Sequence, residues 1–119
     1  MIKVKTKKIV LMLLIFLLLT ACIEKEKKYT AGSYLGTSDG YYSKIVVEVV
    51  VDDYEIITID VLENEEPPTL ADIVFKTLPP KIIKENSADV DVVSGATTTS
   101  KALLDAVEKA LEKARSLDE

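Results

Sequence analysis

Residues 44–63 read KIVVEVVVDDYEIITIDVLE, two β-branched runs joined at Asp52-Asp53-Tyr54. In the first run Ile45, Val47, Val49 and Val51 share one face of a pleat, while Lys44, Val46, Glu48 and Val50 share the other. In the second, Ile57, Ile59 and Val61 alternate with Ile56, Thr58, Asp60 and Leu62. A period of two through both runs predicts an antiparallel hairpin with one apolar face and one mixed face. The rest of the chain must supply what covers the apolar side.

Upstream, YTAGSYLGTSDGYYSK (29–44) carries glycines at 32, 36 and 40 and tyrosines at 29, 34, 41 and 42. This composition suits a first strand around Ser33 to Thr37 and a turn at Ser38-Asp39-Gly40. Downstream of NEEPPT (64–69) the period changes. LADIVFKTL (70–78) and, past Pro79-Pro80, KIIKEN (81–86) read as two short helical pieces, the second opening on proline in its first turn. The last segment, Lys101 to about Arg115, lines up Leu103, Val107, Ala110, Leu111 and Ala114 as one stripe, with Lys101, Glu108, Lys109, Glu112 and Lys113 outside it. Thr99 or Ser100 is its natural N-cap. The expected fold class is α+β: a small antiparallel sheet of about three strands, helices packed on its apolar face, and a C-terminal amphipathic helix.

The first 21 residues stand apart. Lys3, Lys5, Lys7 and Lys8 precede an apolar core from Ile9 to Leu19 that is shorter than the roughly 20 residues a transmembrane helix needs. Leu19-Thr20-Ala21-Cys22 resembles the lipobox of bacterial lipoproteins, in which the cysteine takes the lipid and becomes the new N-terminus. The expected organisation is therefore a lipoprotein signal peptide (1–21), a lipidated Cys22 with a charged linker (22–28), and one domain (29–119). Residues 22–119 keep all 20 acidic side chains against 11 of the 15 basic ones, a net charge of −9. That charge repels phosphate backbones, and no nucleic-acid partner is expected. A single cysteine forms no disulfide within the chain.

Absent residue types narrow the chemistry further. With no histidine and no tryptophan, a Ser-His-Asp triad and an ordinary zinc or copper site are excluded, and a lipid-blocked Cys22 removes the thiol nucleophile. Asp-Val-Asp at 89–91 lacks the ligand spacing of a calcium loop, and no metal is expected. Nothing singles out a catalytic pair among the 20 carboxylates. Redox or catalytic work would have to come from a cofactor.

One stretch offers a place for it. DVVSGATTTSK (91–101) sets Ser94, Thr97, Thr98, Thr99 and Ser100 around Gly95 and Ala96, just before the final helix. Glycine admits a positive φ and a close approach, and the helix presents unpaired N–H groups and the positive end of its dipole. By general physics this suits a phosphate. The same residues also suit a plain capping loop whose hydroxyls satisfy backbone groups.

Asp91-Val-Val-Ser94-Gly95-Ala96-Thr97 resembles the flavinylation motif of the FMN-binding domain family. That family includes the C subunit of sodium-translocating NADH:quinone reductase, the G subunit of the Rnf complex and many small lipoproteins. YTAGSYLGTSDGYYSKIVVEVVV, LPPKIIKENSADVD and TSKALLDAVEKAL are similar to its opening strand and hairpin, its pre-motif segment and its last helix. The resemblance implies FMN joined by a phosphoester to Thr97, with Asp91, Ser94, Gly95, Ala96 and Thr98 completing the cofactor site that a flavin transferase recognises. It further implies a membrane-anchored carrier on the extracytoplasmic face, held to lipid through Cys22. Such a carrier would take electrons from a quinol or NADH dehydrogenase and pass them to a downstream acceptor. Alternatives are an accessory flavin subunit of a separately encoded reductase and a binding lipoprotein without flavin. Two features depart from the family pattern. Asp53 is followed by Tyr54 where an aspartate-glycine pair is usual, so a longer hairpin loop is expected. Glu66-Pro67-Pro68-Thr69 replaces a threonine-proline-glycine stretch.

Overall fold

The structure, a computed structural model, describes residues 2–21 and 26–116; Cys22, the expected lipidation site, lies outside the described residues. The elements run α1 (Ile2–Ala21), β1 (Gly32–Asp39), β2 (Lys44–Val51), β3 (Ile56–Glu63), α2 (Pro68–Glu85) and α3 (Thr97–Ser116). Helix α1 exposes its described side chains, residues 7–16. Among the described residues no helix is long and apolar enough to cross a membrane.

The strands form one antiparallel sheet in the order β1-β2-β3. As the period of two requires, Ile45, Val47, Val49 and Val51 are all buried. Their β3 partners Val61 and Ile59 stand opposite Val47 and Val49 and pack against the same core. One expectation fails here: Ile57 is 45% exposed and Ile56 is the buried residue. The pairing register shifts between Val50 and Val51, and one bulged residue exchanges the faces of whatever lies beyond it. The β2–β3 loop is longer than two residues, as expected. Asp52 N donates to Glu55 O (2.9 Å), and Asp52 Oδ1 accepts from Tyr54 N (2.8 Å) and Glu55 N (2.6 Å). The first strand also outruns its expected end at Thr37, because Ser38 and Asp39 pair with Ile45 and Lys44, and the turn falls at residues 40–43.

Both helices lie on the apolar face, α3 over β1 and β2, α2 over β3. Helix α3 buries the expected stripe of Leu103, Val107, Ala110, Leu111 and Ala114, together with Ala102 and Ala106. Each fully buried valine or leucine contributes about 1.5–3 kcal/mol. The two helical pieces expected around the prolines are one helix. Pro79 and Pro80 cannot donate to the carbonyls one turn back, yet Val74, Leu78 and Ile82 recur every fourth residue and are fully buried, so packing carries the helix through the missing bonds. Its end is fixed by Asn86 in the left-handed conformation (φ 53°). The Asn86 side chain then pairs like a short piece of strand, accepting from Ile56 N and donating to Tyr54 O, each at 2.9 Å.

At Gly36 the sheet and α3 meet backbone to backbone. A Cβ built there would lie 1.8 Å from Ala106 O and 2.9 Å from Ala110 N, so the α3 backbone rests directly on the strand. Further contacts set α3 antiparallel to β1: Lys113 Nζ donates to Leu35 O (2.6 Å), and Ser38 Oγ donates to Asp105 Oδ2 (2.8 Å). The Ser38 bond, reinforced by one from Lys109, holds the Asp105 carboxyl below its usual range. At the far end Thr30 N donates to Ala114 O (3.0 Å).

Two outcomes follow for stability. Gly36→Ala meets backbone that cannot rotate away, and its unfolding free energy should drop by at least the upper end of the usual overpacking cost of about 1–3 kcal/mol; a urea midpoint close to wild type would refute the contact. Asn86→Gly should lose about 1–3 kcal/mol with its two hydrogen bonds, and Asn86→Ala roughly 1 kcal/mol more for the left-handed backbone, so the order of their midpoints reads the strain directly.

Candidate functional site

The loop from Ser87 to Ala96 is drawn toward the core by Ala88, Val90 and Val93, which pack against it from outside. Its last residues form a tight turn. Ala96 N donates to Val93 O (3.0 Å), and Gly95, the third residue of that turn, has φ 83°. A type II turn needs a positive φ at that position, and a Cβ there would meet nothing within 4 Å. Glycine is required by the backbone angle and not by crowding. Ala96 is buried in the core cluster, which limits its size.

Helix α3 starts at Thr97, where Ser100 N donates to Ala96 O (3.0 Å). Thr99 and Ser100 are therefore not the N-cap. They occupy the first turn, and helical periodicity divides the hydroxyl run: Thr99 and Ser100 are fully buried, Thr97 and Thr98 exposed. The two inward hydroxyls are spent on structure. Ser100 Oγ accepts from Val93 N (3.1 Å), and Thr99 Oγ1 donates to Glu66 Oε1 (2.8 Å). The outward ones, with Ser94 on the turn, take no protein partner among the described residues and face solvent.

Of the residues the sequence singled out, Ser94, Gly95, Ala96, Thr97 and Thr98 come together at the N-terminus of α3. Asp91 stands on the flank of the loop, exposed, in a surface depression that also includes Lys81 and Lys84. The arrangement fits the phosphate end of FMN. Thr97 offers an accessible hydroxyl, the first-turn N–H groups have no intrahelical acceptors, and an anion there gains about 0.3–1 kcal/mol from the dipole. Exposed Lys101, four residues on, shares that side of the helix.

Glu66 is the residue sequence reasoning missed. Only 6% exposed, its carboxylate joins two segments: Oε1 accepts from Thr99, and Oε2 accepts from Tyr41 N (2.8 Å) in the β1–β2 turn. Nothing in Asn64-Glu65-Glu66 marked one glutamate as buried and the other as exposed.

Residues 40–112 match the FMN-binding domain, a span that takes in the β2–β3 hairpin, α2, the turn at Gly95 and most of α3. The chain is 31% identical over 87 residues, 73% of its length, to NADH:acrylate oxidoreductase of Vibrio harveyi, of which this is 9%. It is 32% identical over 82 residues, 69% of its length, to urocanate reductase of Eggerthella lenta, covering 14% of that protein. A Treponema pallidum protein matches at 32% over 82 residues, 23% of its own length. The chain thus spans less than a quarter of each of these relatives, sharing one unit with them. By sequence match over more than half of its length, and with a site whose form agrees, the chain belongs to the FMN-binding domain family.

Proposed function

We propose that FMN is carried on Thr97 through a phosphoester, and that the domain, tethered to the extracytoplasmic face of the membrane through lipidated Cys22, relays electrons from a membrane quinol or NADH dehydrogenase to a downstream acceptor. The observation that carries the attachment is the division of the hydroxyl run. Thr99 and Ser100 are consumed by Glu66 and Val93, whereas Thr97 stands free on a helix N-terminus beside a turn that holds it out to solvent. Bound there, FMN would supply the reversible one- and two-electron chemistry of a carrier. The protein's own part is to hold and present. The Gly95 turn aims the first helical turn outward, the α3 dipole and Lys101 balance the phosphate charge, and the buried Thr99–Glu66 bond keeps the helix end from fraying. Asp91, Ser94 and Gly95 form the exposed surface a flavin transferase would read.

A second reading has its own support. The relatives named as acrylate and urocanate reductases are several times longer than this chain, so the same unit occurs there as one part of a larger protein. On that reading the chain would be the separately encoded flavin subunit of such a reductase. Loss of one specific reductase activity on deletion of this protein would favour it over a general carrier.

Co-expression of the full chain with a flavin transferase tests the attachment. Wild type and Thr98→Val should gain the mass of FMN less water and keep flavin fluorescence after denaturing electrophoresis, while Thr97→Val should gain neither. An unmodified wild type, with the transferase active on a control substrate, would leave the loop as a helix cap. For the tether, wild type should take up labelled fatty acid in the cell and lose residues 1–21, and Cys22→Ser should do neither; an unlabelled wild type would refute the lipid anchor.

A further inference from the structure

Two tyrosines at the motif end of the sheet have no role in the packing. Tyr41 is 49% and Tyr42 73% exposed, and their rings lie side by side with centroids 6.2 Å apart at a tilt of 44°. The other three tyrosines are accounted for elsewhere. Tyr29 is buried in the core, Tyr34 packs on it and donates to Thr30 O (2.7 Å), and Tyr54 sits in the β2–β3 loop at the opposite end of the sheet.

The turn that bears the pair is not free to wander. Gly40 N donates to Ser43 O (2.9 Å), closing it, and Tyr41 N donates to the Glu66 carboxylate, whose other oxygen holds Thr99. Gly40 makes room for that carboxylate: a Cβ there would come within 2.5 Å of Glu66 Oε2. Among the described residues no cation pairs with Glu66, so the carboxylate is buried on hydrogen bonds alone. Burial of this kind is costly and is tolerated where the partners are fixed. What Glu66 fixes is the tyrosine turn against the first turn of α3, one carboxylate away from the segment that bears Thr97.

We infer that Tyr41 and Tyr42 are the stacking surface for the isoalloxazine ring of FMN attached at Thr97, with Glu66 as the residue that positions them. This rests on the attachment proposed above. A phosphate on the outward side of the first α3 turn leaves the ribityl arm and ring over the protein surface, and the aromatic faces exposed at that end belong to these two residues. Offset or tilted contact with phenol rings is the arrangement flat aromatic systems favour. Stacked tyrosine also quenches flavin emission, by passing an electron to the excited ring and recovering it with no net chemistry.

The test uses the full chain, flavinylated by a co-expressed transferase, with flavin content fixed by intact mass before any optical reading. Tyr41→Leu/Tyr42→Leu should load FMN as wild type does, yet emit several-fold more strongly per flavin and lose much of the visible circular dichroism of the bound ring. Tyr54→Leu, at the far end of the sheet, should leave both signals unchanged. Glu66→Gln should give an intermediate rise in emission as the turn loosens. Equal emission per flavin in wild type and double variant would overturn the stacking surface while leaving the attachment intact. A wild type without the FMN mass would instead overturn the attachment, and the inference with it.

Discussion

The backbone of α3 rests on Gly36 with no side chain between them, and most of the remaining arrangement follows from that contact. Ala106, Ala110 and Ala114 are small because the helix must come this close; Ser38 and Lys113 bond across because it has. A helix seated on backbone cannot slide along the strand without losing the fit, since packed interiors tolerate little change in shape. The end of α3, and with it the motif turn, is thereby placed at the β1–β2 corner. Glu66 then needs to bridge only a short gap to tie the corner to the helix.

The hydroxyl run is a case of one periodicity doing two jobs. Four hydroxylated residues at a helix start, Thr97 to Ser100, look interchangeable in a string of letters. Wound onto the first turn, two go inward to complete backbone and carboxylate bonds, and the others face solvent. The buried pair keeps the exposed pair in place, so the same stretch supplies both the site and its support. Buried bonds that hold an exposed group from behind commonly set its precision.

How much of this was legible depended on the range of the interactions. Alternation in 44–63 and the stripe of α3 reported the sheet and the last helix faithfully, because both patterns are local and continuous. The Asp91 to Thr97 motif carried the family. What went wrong involved a local signal overruled by packing at a distance. Pro79-Pro80 reads as a helix break, but Leu78 and Ile82 are held by the core on either side of it. Ile57 reads as inward until a bulge at Val50 changes the count. Thr99 reads as a cap until its hydroxyl is seen to serve Glu66, 33 residues away. Glu66 itself left no mark, since a glutamate after a glutamate says nothing about which one folds inward.

The turn at Gly95 also bears on when the cofactor is acquired. Its shape rests on Val93 O and Ser100 Oγ, and the Val93 side chain rests on the core. An unfolded chain has the letters of the motif without the outward-facing Thr97 those bonds create. If FMN is attached at Thr97 as proposed, by a transferase that reads that shape, flavin loading would come after folding and the modification would serve as an inspection mark: chains that have not closed their sheet and seated α3 would stay colourless.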